Sequence, residues 1–331
     1  MGAETSRRPT FGIRLPNSGP FATADPIRRI ATLSESLGFD TVWVHDHLAW
    51  PTHRRTHFAA GSVEAVTDQP PNFFESVATV AYVAGMTSRI RVGIAGLVLP
   101  WRDPRVLGKQ LATLAELSGG RLVPALAIGR YEDEFEAQQA PYHRRGRLTD
   151  EYLEALAAIL GSAPAATFEG ESIRFTNAEY FPKPSRLPLW ICGMSPQACR
   201  RVARFGAGWL PGGMTPEEYA ESTAALDRVM AEHGRSIREI EVGTEIFTTI
   251  ADTDEDARRI AEASLRHQWS GDVPRGLARS LVGSPETLRS RIRAYAAAGV
   301  THFEIKFICH RIEMMQEMIE AYAHHVLPEF R

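Results

Sequence analysis

Arg89-Ile-Arg-Val-Gly-Ile-Ala-Gly-Leu-Val-Leu-Pro100 leads into Trp101-Arg-Asp-Pro104 and a helical stretch. Gly119-Gly-Arg-Leu-Val-Pro-Ala-Leu-Ala-Ile-Gly-Arg-Tyr131-Glu-Asp-Glu-Phe135 follows. The apolar run Ile90 to Leu99 is too short to span a membrane and suits a strand buried on both faces. Asp103 is a favoured N-cap, and Pro104 takes the first helical position, where its missing N–H costs nothing. Leu107, Leu111, Leu114 and Leu117 then recur at helical spacing, and Gly119 closes the helix. Leu122 to Ile128 is a second apolar strand. Strand, helix and strand in this order imply a parallel sheet with helices on its faces.

Toward the N-terminus, Phe11 to Leu15 reads as a strand and Pro16 to Pro20 as the loop after it. Asp25-Pro26 starts a helix that puts Ile27, Ile30, Ala31, Ser34 and Leu37 on one face and stops at Gly38. Thr41 to Val44 is a strand running into His45-Asp46-His47. Residues 48–71 form a loop rich in Pro, His and Arg, of a length that in a compact domain is functional or disordered. Asn72 with Glu75 reads as a capping box for a helix through Met86. That helix, from Phe73 on, is apolar nearly all round, which points to a subunit interface.

Toward the C-terminus come a polar segment over 131–145, a helix from Arg147 to Leu160 and an alternating hairpin over 166–184. Pro188 to Cys192 is a buried strand, followed by Gly193-Met194-Ser195-Pro196 and a helix. Thr215 with Glu218 caps a helix to Glu232, residues 254–282 read as a helical insertion, and Ser284-Pro285 begins another helix. Eight strands, near residues 12, 43, 94, 125, 190, 209, 245 and 305, alternate with helices, without repeat or linker. The expected fold is α/β: a (β/α)8 TIM barrel with insertions, one domain over residues 1–331.

Composition narrows the function. Thirty-seven basic against 40 acidic residues give a net charge of −3, which speaks against a nucleic-acid surface or a polybasic membrane patch. Cys192, Cys199 and Cys309 form no Cys-x-x-Cys pair, and residues 1–10 show no apolar leader, so a cytoplasmic location is expected. Met1-Gly2 with Ser6 fits the bare myristoylation pattern, read here as coincidence.

In such a barrel the active site lies where strands end. The strand ends are Pro16 and Asn17, His45 to His47, Val98 to Trp101, Gly129 to Tyr131, Gly193 to Ser195, Leu210 to Gly213 and Phe307 to His310. His47 stands out, because a neutral imidazole can donate, accept or shuttle a proton near pH 7. A loop histidine that merely satisfies backbone groups is the equal alternative. His45 and His47 could also hold a metal, but the sequence has no histidine between His143 and His233, so the fifth and sixth strand ends supply no further ligand of that kind; no metal is expected. Gly193 to Ser195 opens a helix with free backbone N–H groups, a geometry that holds a phosphate or simply makes a capped turn. Cys192 reads as core.

The motif Val98-Leu99-Pro100-x-x-x-Pro104, the helix ending in Leu117-Ser-Gly-Gly-Arg121, the Gly129-Arg-Tyr131 turn and Glu134-Phe135 resemble the luciferase-like monooxygenase superfamily. The likeness runs over nearly the whole chain and is greatest to the branch that uses the deazaflavin coenzyme F420. Gly299-Val-Thr-His-Phe303 is similar to that branch's signature before the last strand. The resemblance implies a barrel that binds a flavin or deazaflavin at the C-terminal ends of its strands. It implies Asp46 and His47 as catalytic residues. It implies cofactor contacts at Ala95, Gly96, Leu97, Gly129, Tyr131, Gly193, Met194 and Ser195, with a cis peptide between Ala95 and Gly96. Arg130 departs from the acidic or aromatic residue often found there. The expectation is an oxidoreductase exchanging hydride between F420 and a small organic substrate. The alternatives are a reduced-FMN-dependent monooxygenase on the same fold and a barrel that binds flavin or a small ligand without turnover. A homodimer and a separate cofactor reductase are the expected protein partners, with loop 48–71 and segment 254–282 at the pocket mouth.

Overall fold

The computed structural model describes residues 8–49 and 72–331. Residues 50–71, most of the long loop expected at the pocket mouth, and the myristoylation pattern at residues 1–6 lie outside them. Eight parallel strands close on themselves. They are β1 (Thr10–Arg14), β2 (Thr41–Val44), β3 (Arg91–Val98), β4 (Leu122–Ala127), β5 (Trp190–Cys192), β6 (Gly208–Leu210), β7 (Glu241–Ile250) and β8 (His302–Phe307). Each pairs with its neighbour in sequence, and β8 returns to β1 with Phe11 opposite Phe303. The helices that pack outside include α1 (Ala24–Ser36), α2 (Ser76–Met86), α3 (Pro104–Leu117), α4 (Arg145–Leu160), α5 (Pro196–Phe205), α6 (Pro216–Glu232), α7 (Pro285–Ala297) and α8 (Ile312–His325). Among the described residues no helix is long and apolar enough to cross a membrane.

Two local expectations are corrected. Asn72 does not cap α2. It lies in a two-residue strand against Ser18-Gly19 and donates to the Ala22 carbonyl, while Glu75 caps the helix by accepting from the Ala78 N–H. Within 254–282 the helices Asp254–Gln268 and Val273–Ala278 give way to a strand, Ser280–Gly283, that extends the sheet beside the end of β7. Within the polar segment after β4, Glu132–Ala137 is helical. The alternating stretch after α4 does pair as an antiparallel hairpin, Ala165–Glu169 with Arg174–Glu179.

Strand side chains alternate between the helix layer and the barrel interior. On β8, Phe303, Ile305 and Phe307 pack outward into the main core, leaving His302, Glu304 and Lys306 to the other face. The lower interior is filled by Trp43 and Trp190, whose rings lie 5.5 Å apart, with His302 against both. Trp43 Nε1 donates to His302 Nε2 at 3.0 Å, so the imidazole is neutral and carries its proton on Nδ1, 2.8 Å from Thr10 Oγ1. Burial holds the His302 pKa well below its ordinary value. Indoles fit here because their neighbours lack side chains. A Cβ on Gly93 would fall 2.2 Å from Trp43 Cε3, and one on Gly208 would fall 2.4 Å from Trp190. Below this plug, Arg91 makes a two-point pair with Glu241 across the barrel, at 2.7 and 3.1 Å.

Gly93→Ala therefore forces Trp43 to move in a core with no slack. A destabilisation of about 1–3 kcal/mol is expected, read as a lower urea midpoint at unchanged slope. A wild-type midpoint would show that the indole has room to shift.

Candidate functional site

The segment leaving β2 is clamped before it can carry chemistry. Asn17, fully buried after β1, accepts from the His45 N–H at 3.0 Å and donates to the His45 and Phe74 carbonyls. Asp46 is 3% exposed and accepts four hydrogen bonds. They come from Ser76 Oγ at 2.8 Å, the Val98 N–H at 2.8 Å and both terminal nitrogens of Arg102 at 2.6 and 2.7 Å. Arg102 also reaches Glu75 at 3.0 Å. Both oxygens of Asp46 are thus engaged by two donors each, and the carboxylate ties the segment after β2 to α2 and to the end of β3.

His47 follows directly. Its Nδ1 lies 2.6 Å from Glu134 Oε1, and its ring meets the edge of Phe73 at 5.0 Å. Glu134 is 1% exposed and sits on the short helix Glu132–Ala137. A buried carboxylate at Nδ1 orients the ring and favours the tautomer with hydrogen on that nitrogen. The partner is 87 residues away in sequence. The two-histidine metal reading finds no support, because His45 is committed to Arg14 and His47 to Glu134.

Beneath His47 lies a layer of charge that sequence reasoning missed, buried at Arg14 and Glu304 and half-buried at Glu245 and Lys306. Arg14 from β1 pairs with Glu304 of β8 and lies 3.3 Å from Glu245 of β7. The ring nitrogens of His45 are 2.6 and 2.5 Å from Arg14 Nη1, and burial together with this cation holds His45 neutral, its pKa far below the usual value. Burial raises the Glu304 carboxyl to about 7 despite Arg14, with Glu245 adding to the rise. Burial would raise Glu245 as well, but Arg14 and Lys306 outweigh it and leave that carboxylate below its ordinary value. Burial and Arg14 bring Lys306 down to about 8. The signal was present in Phe303-Glu-Ile-Lys-Phe307, where charge and apolar residues alternate with strand period.

Two connected chambers open at this end of the barrel, sharing His45, His47 and Tyr131. The upper one, about 350 Å³, is floored by small residues, among them Ala95, Gly96, Ala127, Gly129 and Cys192. The Ala95–Gly96 peptide bond is cis, and the pairing of β3 with β4 slips by one residue there. A Cβ on Gly96 would come 2.8 Å from the Ala127 Cβ and 3.0 Å from Cys192 Sγ. Gly129, at φ +79°, turns the chain under Phe135 and Val98 where a side chain would clash. Burial pushes the Cys192 thiol far up, so it is an unreactive wall.

Of the expected cofactor residues, Ala95, Gly96, Gly129, Tyr131 and Gly193 line this chamber. Leu97 does not. It is fully buried in the core between sheet and helices. Met194, 56% exposed, and Ser195 stand at the outer rim. Ser195 caps α5 by accepting from the Ala198 N–H at 3.2 Å. Gln268, at the end of the helix Asp254–Gln268, brings the later segment to the lower chamber.

The sequence profile of a family described as luciferase-like monooxygenase matches residues 9–302. An uncharacterized protein of Mycobacterium tuberculosis is 30% identical over 211 residues, which span 62% of this chain and 73% of that one. The FMNH(2)-dependent dimethylsulfone monooxygenase of Pseudomonas fluorescens is 25% identical over 341 residues, spanning 92% of this chain and 86% of the other. Monooxygenase RslO1 from Streptomyces bottropensis shares the fold at a TM-score of 0.81 and 21% identity, with 97% and 100% of the two chains covered. An F420-dependent secondary alcohol dehydrogenase, solved with an F420-acetone adduct, does so at a TM-score of 0.82 and 16% identity, covering 98% and 99%.

The raised Glu304 carboxyl sets a stability signature. Its folded pKa, about 7, exceeds the unfolded value, so its contribution is complete below about 4.5 and is lost as pH rises through about 7. Glu304→Gln stays neutral throughout. The stability difference between wild type and variant should drift toward the variant across that window and level off above it, in urea titrations at each pH. A difference independent of pH would show that Glu304 is ionised throughout.

Proposed function

The chain belongs to the luciferase-like monooxygenase family, and from that premise we propose that it is an F420-dependent oxidoreductase exchanging hydride with a small organic substrate. The observation that carries this reading is the His47–Glu134 pair, set where a chamber with a floor of small residues meets a second, partly apolar one. A slot floored by Ala95, Gly96, Ala127 and Cys192 fits a planar ring, which no bulkier floor would admit. When bound, the deazaflavin supplies the hydride chemistry; the chain supplies position, shielding and the proton.

Glu134 holds the hydrogen on His47 Nδ1, which makes Nε2 the atom at which a proton is exchanged with the substrate. Asp46, saturated by Ser76, Val98 and Arg102, fixes the backbone that carries His47. Ala95, Gly96, Gly129 and Tyr131 would seat the ring, and Gly193 to Ser195 at the start of α5 would receive a phosphate of the coenzyme tail.

A second reading is a reduced-FMN-dependent monooxygenase served by a separate reductase. The 25% identity over 92% of the chain with the dimethylsulfone enzyme favours it. Titration with F420 and with FMN, followed by hydride exchange and oxygen uptake, separates the two.

Two substitutions divide chemistry from binding. His47→Ala should lower turnover about 10²–10⁴-fold with cofactor affinity nearly unchanged. Ser195→Asp keeps a good N-cap but sets a carboxylate at the phosphate, so it should weaken cofactor affinity in a fluorescence titration. Near-normal turnover in the first variant would make His47 structural, and unchanged affinity in the second would move the phosphate elsewhere.

The reading extends to a homodimer built on α2, where Tyr82 stays 46% exposed beside exposed Ala78, Ala81 and Gly85. Light scattering is expected to give twice the chain mass at micromolar concentration, and Tyr82→Glu should shift it toward the monomer. A wild-type monomer would remove the dimer.

A further inference from the structure

Lys306 is a buried-layer cation that the proposed chemistry leaves idle. It stands two residues beyond Glu304 on β8, lines the lower chamber, and places Nζ 4.7 Å from the centre of the Phe247 ring. Among the described residues its ammonium makes no ion pair, because the carboxylates of the layer are drawn to Arg14 instead. Lys306 is half-buried at the chamber wall, where a ligand oxyanion would meet it in a charge-assisted contact. The remaining groups around it leave the balance positive. Arg14 and Lys306 face Glu245 and a Glu304 carboxyl that titrates near 7, and His45 is neutral. Around this charge the chamber, of about 220 Å³, is walled by Leu15, Phe21, Phe73, Phe307 and Met315.

We propose that the lower chamber takes the apolar body of a substrate whose single anionic group, a carboxylate or comparable oxyanion, pairs with the Lys306 ammonium. A ligand anchored there lies along a chamber that His47 also lines, so its far end is offered to the proton-exchanging ring. The substrate role rests on the oxidoreductase reading; the anion site itself rests on the charge layer and the apolar wall.

The test is calorimetric titration of the cofactor-free protein with sodium hexanoate, hexan-1-ol and hexylammonium chloride. Hexanoate should bind in the millimolar range or tighter, at least about tenfold more tightly than the other two. Lys306→Met should lose that advantage while binding hexan-1-ol as before. Its melting temperature should stay close to that of the wild type, since Lys306 is half-buried and makes no ion pair among the described residues. In the wild type, without any substitution, hexanoate affinity should fall from about pH 6 to about pH 9. Glu304 gains and Lys306 loses charge over that range, while Arg14 stays charged, His45 neutral and Glu245 ionised; His47, the other titratable group on the chamber wall, is paired with Glu134. No hexanoate binding at millimolar concentration, or equal binding by wild type and Lys306→Met, overturns the proposal. Because no coenzyme is present, hexanoate binding without hydride exchange would defeat only the oxidoreductase reading, and hydride exchange without hexanoate binding only the anion site.

Discussion

The lower barrel has to be filled, and it is filled by two indoles that only glycines could admit. Trp43 and Trp190 take nearly all the room inside, with Gly93 and Gly208 yielding the space and His302 bridging the rings. A packed lower half excludes water and gives the upper half a rigid base. On that base the chain can hold a layer of charge, because each ionic group above the plug meets either a partner or the chamber. From bottom to top the Arg91–Glu241 pair is followed by the aromatic plug, and above the plug stand the Arg14 layer and the small-residue floor, whose Ala95 and Cys192 pack against the indole cluster.

The layer and the floor do different work. The floor of Ala95, Gly96, Ala127 and Cys192 carries no charge and little bulk, so it selects shape. The layer of Arg14, Glu245, Glu304 and Lys306 selects charge, in surroundings where electrostatic interactions are stronger than in water. His47 belongs to both chambers, and Glu134 orients it from the side.

The strands and most helices were legible because their signals are local. Asp103-Pro104 starts a helix, Thr215 and Glu218 form their capping box, and each apolar run supplies a strand. Asn72 misled for the same reason: Asn-x-x-Glu has the form of a capping box, yet the helix begins after Glu75 and the Asn72 amide holds Ala22. An all-apolar run such as Ile90 to Leu99 conceals which residues face the cavity: Ala95 and Gly96 line it, while Leu97 lies in the core. His47 could be found from its place after a strand, but Glu134 could not, since nothing in its short acidic helix announces a contact so far along the chain. Arg14, Glu304 and Lys306 stood in plain view as charges at alternate strand positions, and attention to strand ends alone passed over them.

The Asp46 clamp has a consequence for communication across the molecule. One carboxylate receives bonds from the first residue of α2, from the backbone of β3 and from Arg102, which in turn holds Glu75 at the helix cap. The outer helix and the loop bearing His47 therefore share a single rigid joint. A ligand that bound at the start of α2 and changed the affinity of the chamber beside His47 through this joint would have its own affinity changed by the same factor when that chamber filled.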